Sequence, residues 1–134
     1  MEDCIFCKII AGEIPSTKVY EDDEVLAFLD ISQVTPGHTL VVPKKHVANI
    51  YEYDTDLAAK VFSRKNSNPN ILGLNILNNN GEVAYQSVFH SHIHLIPRYS
   101  KKEGFGLRFD DNSSKYDSKK LQEIANQISS KVEK

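Results

Sequence analysis

Five histidines and two cysteines are the rare reactive residues of this 134-residue chain, and most of them are clustered. His90, His92 and His94 alternate with Ser91 and Ile93, while Cys4 and Cys7 form a C-x-x-C pair. Imidazole acts as base, nucleophile or metal ligand near neutral pH, so three in alternation point to a shared task. On an extended segment all three would face one side, about 6 to 7 Å apart at a rise of roughly 3.3 Å per residue. Two chemistries suit that spacing. A His-x-His pair can hold a catalytic zinc with an open position for water. Alternatively, a neutral imidazole can attack phosphorus and form a covalent intermediate that water later cleaves. Asn79, Gly81 and Ser87 lie upstream as small or polar groups able to bond phosphate oxygens, and Pro97-Arg98 closes the segment. These neighbours favour phosphorus.

The elements that must position these residues follow from periodicity and punctuation. Lys18 to Leu29 reads as two short strands joined near Asp22-Asp23, and Asp30 to His38 as a loop marked by Pro36-Gly37. Thr39 to Val42 is a β-branched run closed by Pro43, a third strand. Leu57, Ala58, Val61 and Phe62 recur on one helical face, with Asp54 or Thr55 placed as cap. Asn66-Ser67-Asn68-Pro69-Asn70 must break that helix. Gly73 to Leu77 is a further strand with a polar exit at Asn78 to Gly81, and Val88 to Ile96 is the longest apolar-rich strand candidate. From Ser118 onward Leu121, Ile124, Ala125, Ile128 and Val132 recur at helical spacing, with Asp117 or Ser118 as cap. The sum is an α+β fold: an antiparallel sheet of about five strands with a helix after Asp54 and a C-terminal helix.

Composition bounds the function. A chain of this length fits one domain, with a core over residues 4–110 and a loop and helix over 111–134. With 40% hydrophobic and 25% charged residues it matches ordinary globular proteins, and no apolar run approaches the roughly 20 residues of a membrane span. The start, Met1 to Cys7, lacks the basic and apolar regions of a secretory signal, which predicts a cytoplasmic location. Residues 1–100 carry a net charge of −4 and residues 101–134 one of +2, so neither part resembles a general nucleic-acid binder. Lys44-Lys45 is read as solvated surface.

The C-x-x-C pair admits three readings. A redox pair normally opens a helix after a strand, but only three residues precede Cys4. A disulfide does not suit the cytosol. Zinc needs two further ligands.

Four ordered blocks resemble a known family. Gln86-Ser87-Val88-Phe89-His90-Ser91-His92-Ile93-His94-Leu95-Ile96 is similar to the His-φ-His-φ-His-φ-φ pattern of the histidine triad (HIT) family, with Ser91 the polar exception. Cys4 to Pro15, Phe28 to Ile31 with Pro36 to His46, and Leu74 to Gly81 resemble its bacterial-type hydrolases in the same order. The resemblance implies a nucleotidyl hydrolase or transferase acting on a purine nucleotide, with His92 attacking the α-phosphate. It implies phosphate contacts from His94 and Ser87, with Asn79 near phosphate and ribose. Asp30 would accept bonds from the ribose hydroxyls, although capping its own turn is the alternative. Phe28 and Ile31 would offer apolar contact to the base, and Gln86 would join the nucleotide-binding residues. In zinc-bearing members, ligands matching His46 and His90 complete the cysteine pair, giving a structural Cys4, Cys7, His46 and His90 site. His38 matches a position near the site or is a satisfied structural histidine.

Two departures from the pattern stand out. Relatives have glycine where this chain has Tyr85, just before Gln86-Ser87. If glycine's conformation is needed there, Tyr85 must strain, shift the loop or block the phosphate site. The central helix, expected over Leu57 to Lys65, offers only about two and a half turns. In relatives that helix packs in a homodimer interface, so the implied dimer is weakened. A nucleotide-binding adaptor with weak or no turnover, its rate reduced by Tyr85, is the alternative function.

Overall fold

The first hairpin lacks a glycine turn, and one aspartate side chain takes its place. Asp22 Oδ1 accepts from the backbone N–H groups of Glu24 and Val25, each at 2.8 Å, while Tyr20 Oη–H donates to Oδ2 at 2.8 Å. This turn joins β1 (Lys18–Glu21) to β2 (Val25–Leu29), and β3 (Thr39–Pro43) pairs with β2 in antiparallel register. With β4 (Gly73–Leu77) and β5 (Ile93–Arg98) they form one sheet in the order β1-β2-β3-β5-β4, every neighbour antiparallel. The computed structural model describes residues 3–62 and 71–132. The helix break expected over residues 66–70 lies outside them.

Among the described residues, three α-helices accompany the sheet. α1 (Ile5–Ile10) is capped by Cys4, whose Sγ accepts from Cys7 N–H at 3.3 Å, and the chain turns out of it at Gly12, φ 84°. α2 (Thr55–Phe62) is capped by Asp54, whose Oδ1 accepts from Leu57 N–H at 2.7 Å. The helical segment expected to run on to Lys65 is thus described only as far as Phe62. α3 (Ser118–Ser129) is capped by Asp117 through Lys120 N–H at 2.8 Å. Its apolar residues Leu121, Ile124 and Ile128 are exposed.

Strand alternation divides the apolar side chains between two layers. Val25, Ala27, Val41, Ile93 and Leu95 pack with Leu57 and Val61 of α2, whereas Leu26, Phe28, Leu40 and Val42 pack with Phe6 and Ile9 of α1. Both faces of the sheet are therefore covered. Leu26 and Ile93 are fully buried, so truncating either to alanine costs about 2–5 kcal/mol. Phe28, Leu40, His94 and Leu77 are successive partners across four strands, so the register carries His94 onto the α1 face.

The expected strand over Val88 to Ile96 is corrected: β5 starts at Ile93, and residues 88–92 are irregular. The reason is where their backbone groups go. Ser91 N–H donates to Val47 O at 2.7 Å, and the His90 carbonyl accepts from the His92 ring at 2.9 Å, so neither joins a strand ladder. The three imidazoles still gather: Phe6 lies edge-on to both His90 and His92, and the His94 ring centroid is 5.1 Å from that of His92.

A thiol-imidazole cluster beside a histidine-lined groove

Cys4 and Cys7, one helical turn apart on α1, meet His46 from the loop after β3 and His90 from the irregular segment before β5. Cys4 Sγ lies 3.3 Å from His90 Nδ1, and Cys7 Sγ lies 3.3 Å from His46 Nδ1 and 3.5 Å from His90 Nδ1. All four ligand atoms fall within 4.8 Å of one another. The edges of a zinc tetrahedron with Zn–S near 2.3 Å and Zn–N near 2.0–2.1 Å are about 3.3–3.8 Å. Two sulfurs and two nitrogens at these separations fit that ion. His90 Nε2–H donates to Pro43 O at 2.7 Å, which leaves the Nδ1 lone pair facing the sulfurs, the tautomer a metal ligand needs. Burial, with the neighbouring His46 and His92, lowers the His90 pKa and keeps it neutral. Burial first, and then the Cys4 thiol, raises the pKa of the Cys7 thiol, a shift that a bound cation would reverse.

A groove of about 610 Å³ opens on the same face of the sheet. Its apolar lining includes Phe6 and Ile9 of α1 with Phe28 and Leu29 of β2, and its polar lining includes Asn79, Ser87, His92 and His94. Phe28 is buried against Phe6 with ring centroids 5.8 Å apart, while Ile31 is 101% exposed at the rim. Such a volume suits a nucleotide-sized ligand.

Each histidine of the groove is held in one tautomer by its partners. His92 Nδ1–H donates to His90 O at 2.9 Å, so its Nε2 carries a free lone pair. Burial pushes the His92 pKa down, against smaller opposing effects of that hydrogen bond and Asp30, so the ring is neutral near pH 7. Val34 N–H donates to His38 Nδ1 at 3.2 Å, which places the His38 proton on Nε2. His38 Nε2–H then donates to His94 Nδ1 at 2.9 Å, leaving His94 Nε2–H as a donor. Burial, then His92 and His38, push the His94 pKa down to about 4. The His92 and His94 ring centroids are 5.1 Å apart, so a nucleophilic lone pair and a proton donor stand side by side. Asp30, His38 and His94 also group as candidate ligands, but the 2.9 Å nitrogen separation requires a proton between the rings.

The neighbouring side chains divide between holding the groove and facing it. Asn78 donates to His92 O at 3.0 Å and Asn80 accepts from Ile50 N–H at 2.7 Å, whereas the side chains of Asn79 and Ser87 have no hydrogen bond to another described residue. Asp30 serves its own turn with Oδ1, which accepts from Ser32 N–H at 2.7 Å, while Oδ2 lies 3.6 Å from His38 Nε2. Gln86, expected among the nucleotide-binding residues, does not line the groove. It is 3% exposed, and its amide accepts from Gly81 N–H at 2.8 Å and donates to Ala48 O and Val88 O. Lys44 pairs with Glu21 at 2.9 Å. Ser91, the polar exception of the triad pattern, bonds the Tyr53 hydroxyl at 2.7 Å.

Two contributors escaped the sequence reading. Phe6 connects the thiol-imidazole cluster and the groove, and the signal for it was a helical step between the cysteines that ends at Gly12. His38, left open above, is the partner of His94. Tyr85 adopts φ 69°, the only positive φ of a non-glycine residue among those described, a strain of about 1–2 kcal/mol.

The molecule is thus an α+β protein whose antiparallel sheet sets a thiol-imidazole cluster beside tautomer-locked histidines lining a groove. A family model described as HIT domain matches residues 11–101. The chain belongs to the HIT domain family. It is 54% identical to "Protein hit" of Bacillus subtilis, covering 98% of this chain and 95% of that protein. The alignment, 140 positions long, exceeds this chain, so that relative carries residues absent here. A crystal structure of a Bacillus subtilis HIT family member superposes with TM-score 0.91 at 52% identity, over 98% of this chain and 99% of that one. The adenosine 5'-monophosphoramidase hnt1 of Schizosaccharomyces pombe is 36% identical over 96% of this chain and 98% of its own. A Zn-bound histidine triad family protein from Mycobacterium smegmatis superposes with TM-score 0.71 at 31% identity, over 96% and 97%. Among the described residues, no helix is long and apolar enough to cross a membrane.

Proposed function

We propose that this protein is a nucleotidyl hydrolase that cleaves at the α-phosphate of a purine nucleotide conjugate, a nucleoside phosphoramidate or dinucleoside polyphosphate, releasing a nucleoside monophosphate. The observation that carries the reading is the His92 lone pair, freed by the bond from Nδ1–H to His90 O and set beside the His94 donor. His92 Nε2 attacks the α-phosphorus. The bond to the leaving group breaks with its electron pair on that group, whose leaving atom accepts a hydrogen bond from His94 Nε2–H and takes its proton from solvent. Water then attacks phosphorus, the N–P bond breaks, and the water proton passes to solvent. One water is consumed. Ser87 and Asn79 bond the phosphate oxygens as charge develops, Asp30 Oδ2 accepts from the ribose, and Phe28 with Ile31 holds the base. The name of the fungal monophosphoramidase supports the same class of bond.

Zinc at Cys4, Cys7, His46 and His90 has a structural task in this reading, tying α1 to the sheet and removing His90 from catalysis. A homodimer is supported by the exposed apolar residues Leu121 and Ile128 of α3 and by Ile76 on the edge strand β4. The expected location is the cytoplasm, with no nucleic-acid polymer or membrane as partner. Release of adenosine monophosphate from adenosine 5'-phosphoramidate, abolished in His92→Ala, tests the activity. The strained Tyr85 at the groove favours one second reading, a purine-nucleotide-binding adaptor with weak or no turnover. Tight binding of adenosine monophosphate without release of product would select it.

A further inference from the structure

We propose that Tyr53 and Ser91 are positioning residues for the nucleophile: their hydroxyl pair steadies the peptide whose carbonyl sets the His92 tautomer, and the inference rests on the α-phosphate chemistry above. Ser91 is 1% exposed, at a position where the triad pattern has an apolar residue. A buried hydroxyl costs stability unless it is bonded, and Ser91 Oγ lies 2.7 Å from Tyr53 Oη. Exchanging two bonded hydroxyls for apolar groups of the same shape can be nearly neutral for stability. What the pair adds over an apolar contact is direction.

Direction matters because of the peptide beside it. The His90 carbonyl and the Ser91 N–H belong to one planar unit and point opposite ways. The N–H donates to Val47 O at 2.7 Å, and the carbonyl accepts from His92 Nδ1–H at 2.9 Å. Both residues precede β5, so no strand ladder holds this peptide, and Asn78 anchors the His92 carbonyl rather than that of His90. One hydrogen bond to Val47 leaves the peptide free to tilt; the bond from the Ser91 side chain to Tyr53 is its second anchor. Tyr53 packs against the cluster of Val47, Leu57 and Val61 on the α2 side of the sheet, whereas His92 lines the groove on the α1 side. The tautomer of a groove residue is thus set from the opposite face. Without that anchor the His92 proton spreads over both ring nitrogens, and a ring protonated on Nε2 has no lone pair there for phosphorus.

The test is a double-mutant cycle of Tyr53→Phe and Ser91→Ala, read by kinetics on adenosine 5'-phosphoramidate, by thermal melting and by long-range proton–nitrogen NMR correlation of the His92 ring at neutral pH. Wild type should show His92 protonated on Nδ1. Each single variant should lower kcat about tenfold with KM within about twofold, and should show both His92 tautomers. Each should also melt about 3–8 °C lower. The double variant removes both hydroxyls, so it should regain most of the melting temperature while keeping the low kcat and the mixed tautomers. Where a single variant fails to fold, the double variant carries the comparison. Recovery of rate together with stability in the double variant would reduce the pair to packing and overturns the proposal. So does the Nδ1–H tautomer kept whole in all three variants, whatever their rates. Absence of wild-type turnover would instead remove the hydrolase reading, and the tautomers would still decide the role of Tyr53 and Ser91.

Discussion

His38 Nε2–H donates to His94 Nδ1 at 2.9 Å, and that proton decides what the triad can do. The relation is one step of a chain, because Val34 N–H on His38 Nδ1 leaves His38 no other tautomer. His94 is thereby obliged to present Nε2–H to the groove. A residue buried behind the site sets the polarity of one that faces it.

Removing His38 should therefore lower kcat with little change in KM. His38→Ala is expected to cost about tenfold to a hundredfold, part of what one positioned hydrogen-bond donor supplies. His38→Gln retains an N–H donor and should recover much of the loss. Steady-state kinetics on folded variants, judged by circular dichroism, distinguish this from a packing defect, which glutamine would not repair.

Metal removal should affect stability before chemistry. About one zinc per chain is expected by elemental analysis. Chelation or Cys7→Ser should lower the melting temperature by more than about 5 °C, since the cluster joins α1 to the sheet. Purified protein without any metal would refute the assignment. An immediate loss of turnover on chelation, before unfolding, would place the ion in catalysis.

Protonation of His94 opposes folding, because its folded pKa near 4 lies below the ordinary value of 6.5. The stabilising contribution is complete above about pH 6.5 and is lost as pH falls toward 4, on the order of 2 kcal/mol once its partial exposure is discounted. Urea titrations of wild type and His94→Asn from pH 7 to 4.5 isolate it from acid loss of metal. The wild type should lose ground against the variant as pH falls. A constant difference between them would contradict the assignment.

Gln86 is expected to behave as a structural residue. Gln86→Leu strands Gly81 N–H, Ala48 O and Val88 O and should destabilise by about 2–4 kcal/mol. Denaturant titration measures it. Full stability combined with weakened nucleotide affinity would restore Gln86 to the ligand-binding set.

The elements most legible in the sequence were those whose period is set by burial alone. Gly73–Leu77 and Thr55–Phe62 are where hydrophobic spacing places them, and the hairpin needed only Asp22 to replace a glycine turn. Segment 88–92 misled for a physical reason. Its alternation looks like a strand, yet the His90 carbonyl that a ladder would use is taken by the ring of His92. α1 was hidden because its six residues are too few for periodicity, and its cap is a cysteine that already had another explanation. The α1 and β2 ring contact between Phe6 and Phe28 depends on tertiary packing that no local pattern encodes. His38 was visible as a residue and not as a role, since its partner lies 56 positions away.

The central claim is that the His92 lone pair carries the nucleotide. Wild-type protein quenched in alkaline denaturant, which preserves an N–P bond, during turnover of adenosine 5'-phosphoramidate and kept basic through intact mass and peptide mapping, should carry one adenylyl group, on His92. His92→Ala should show neither adduct nor turnover. Full activity in His92→Ala, or an adduct on any other residue, would contradict the mechanism.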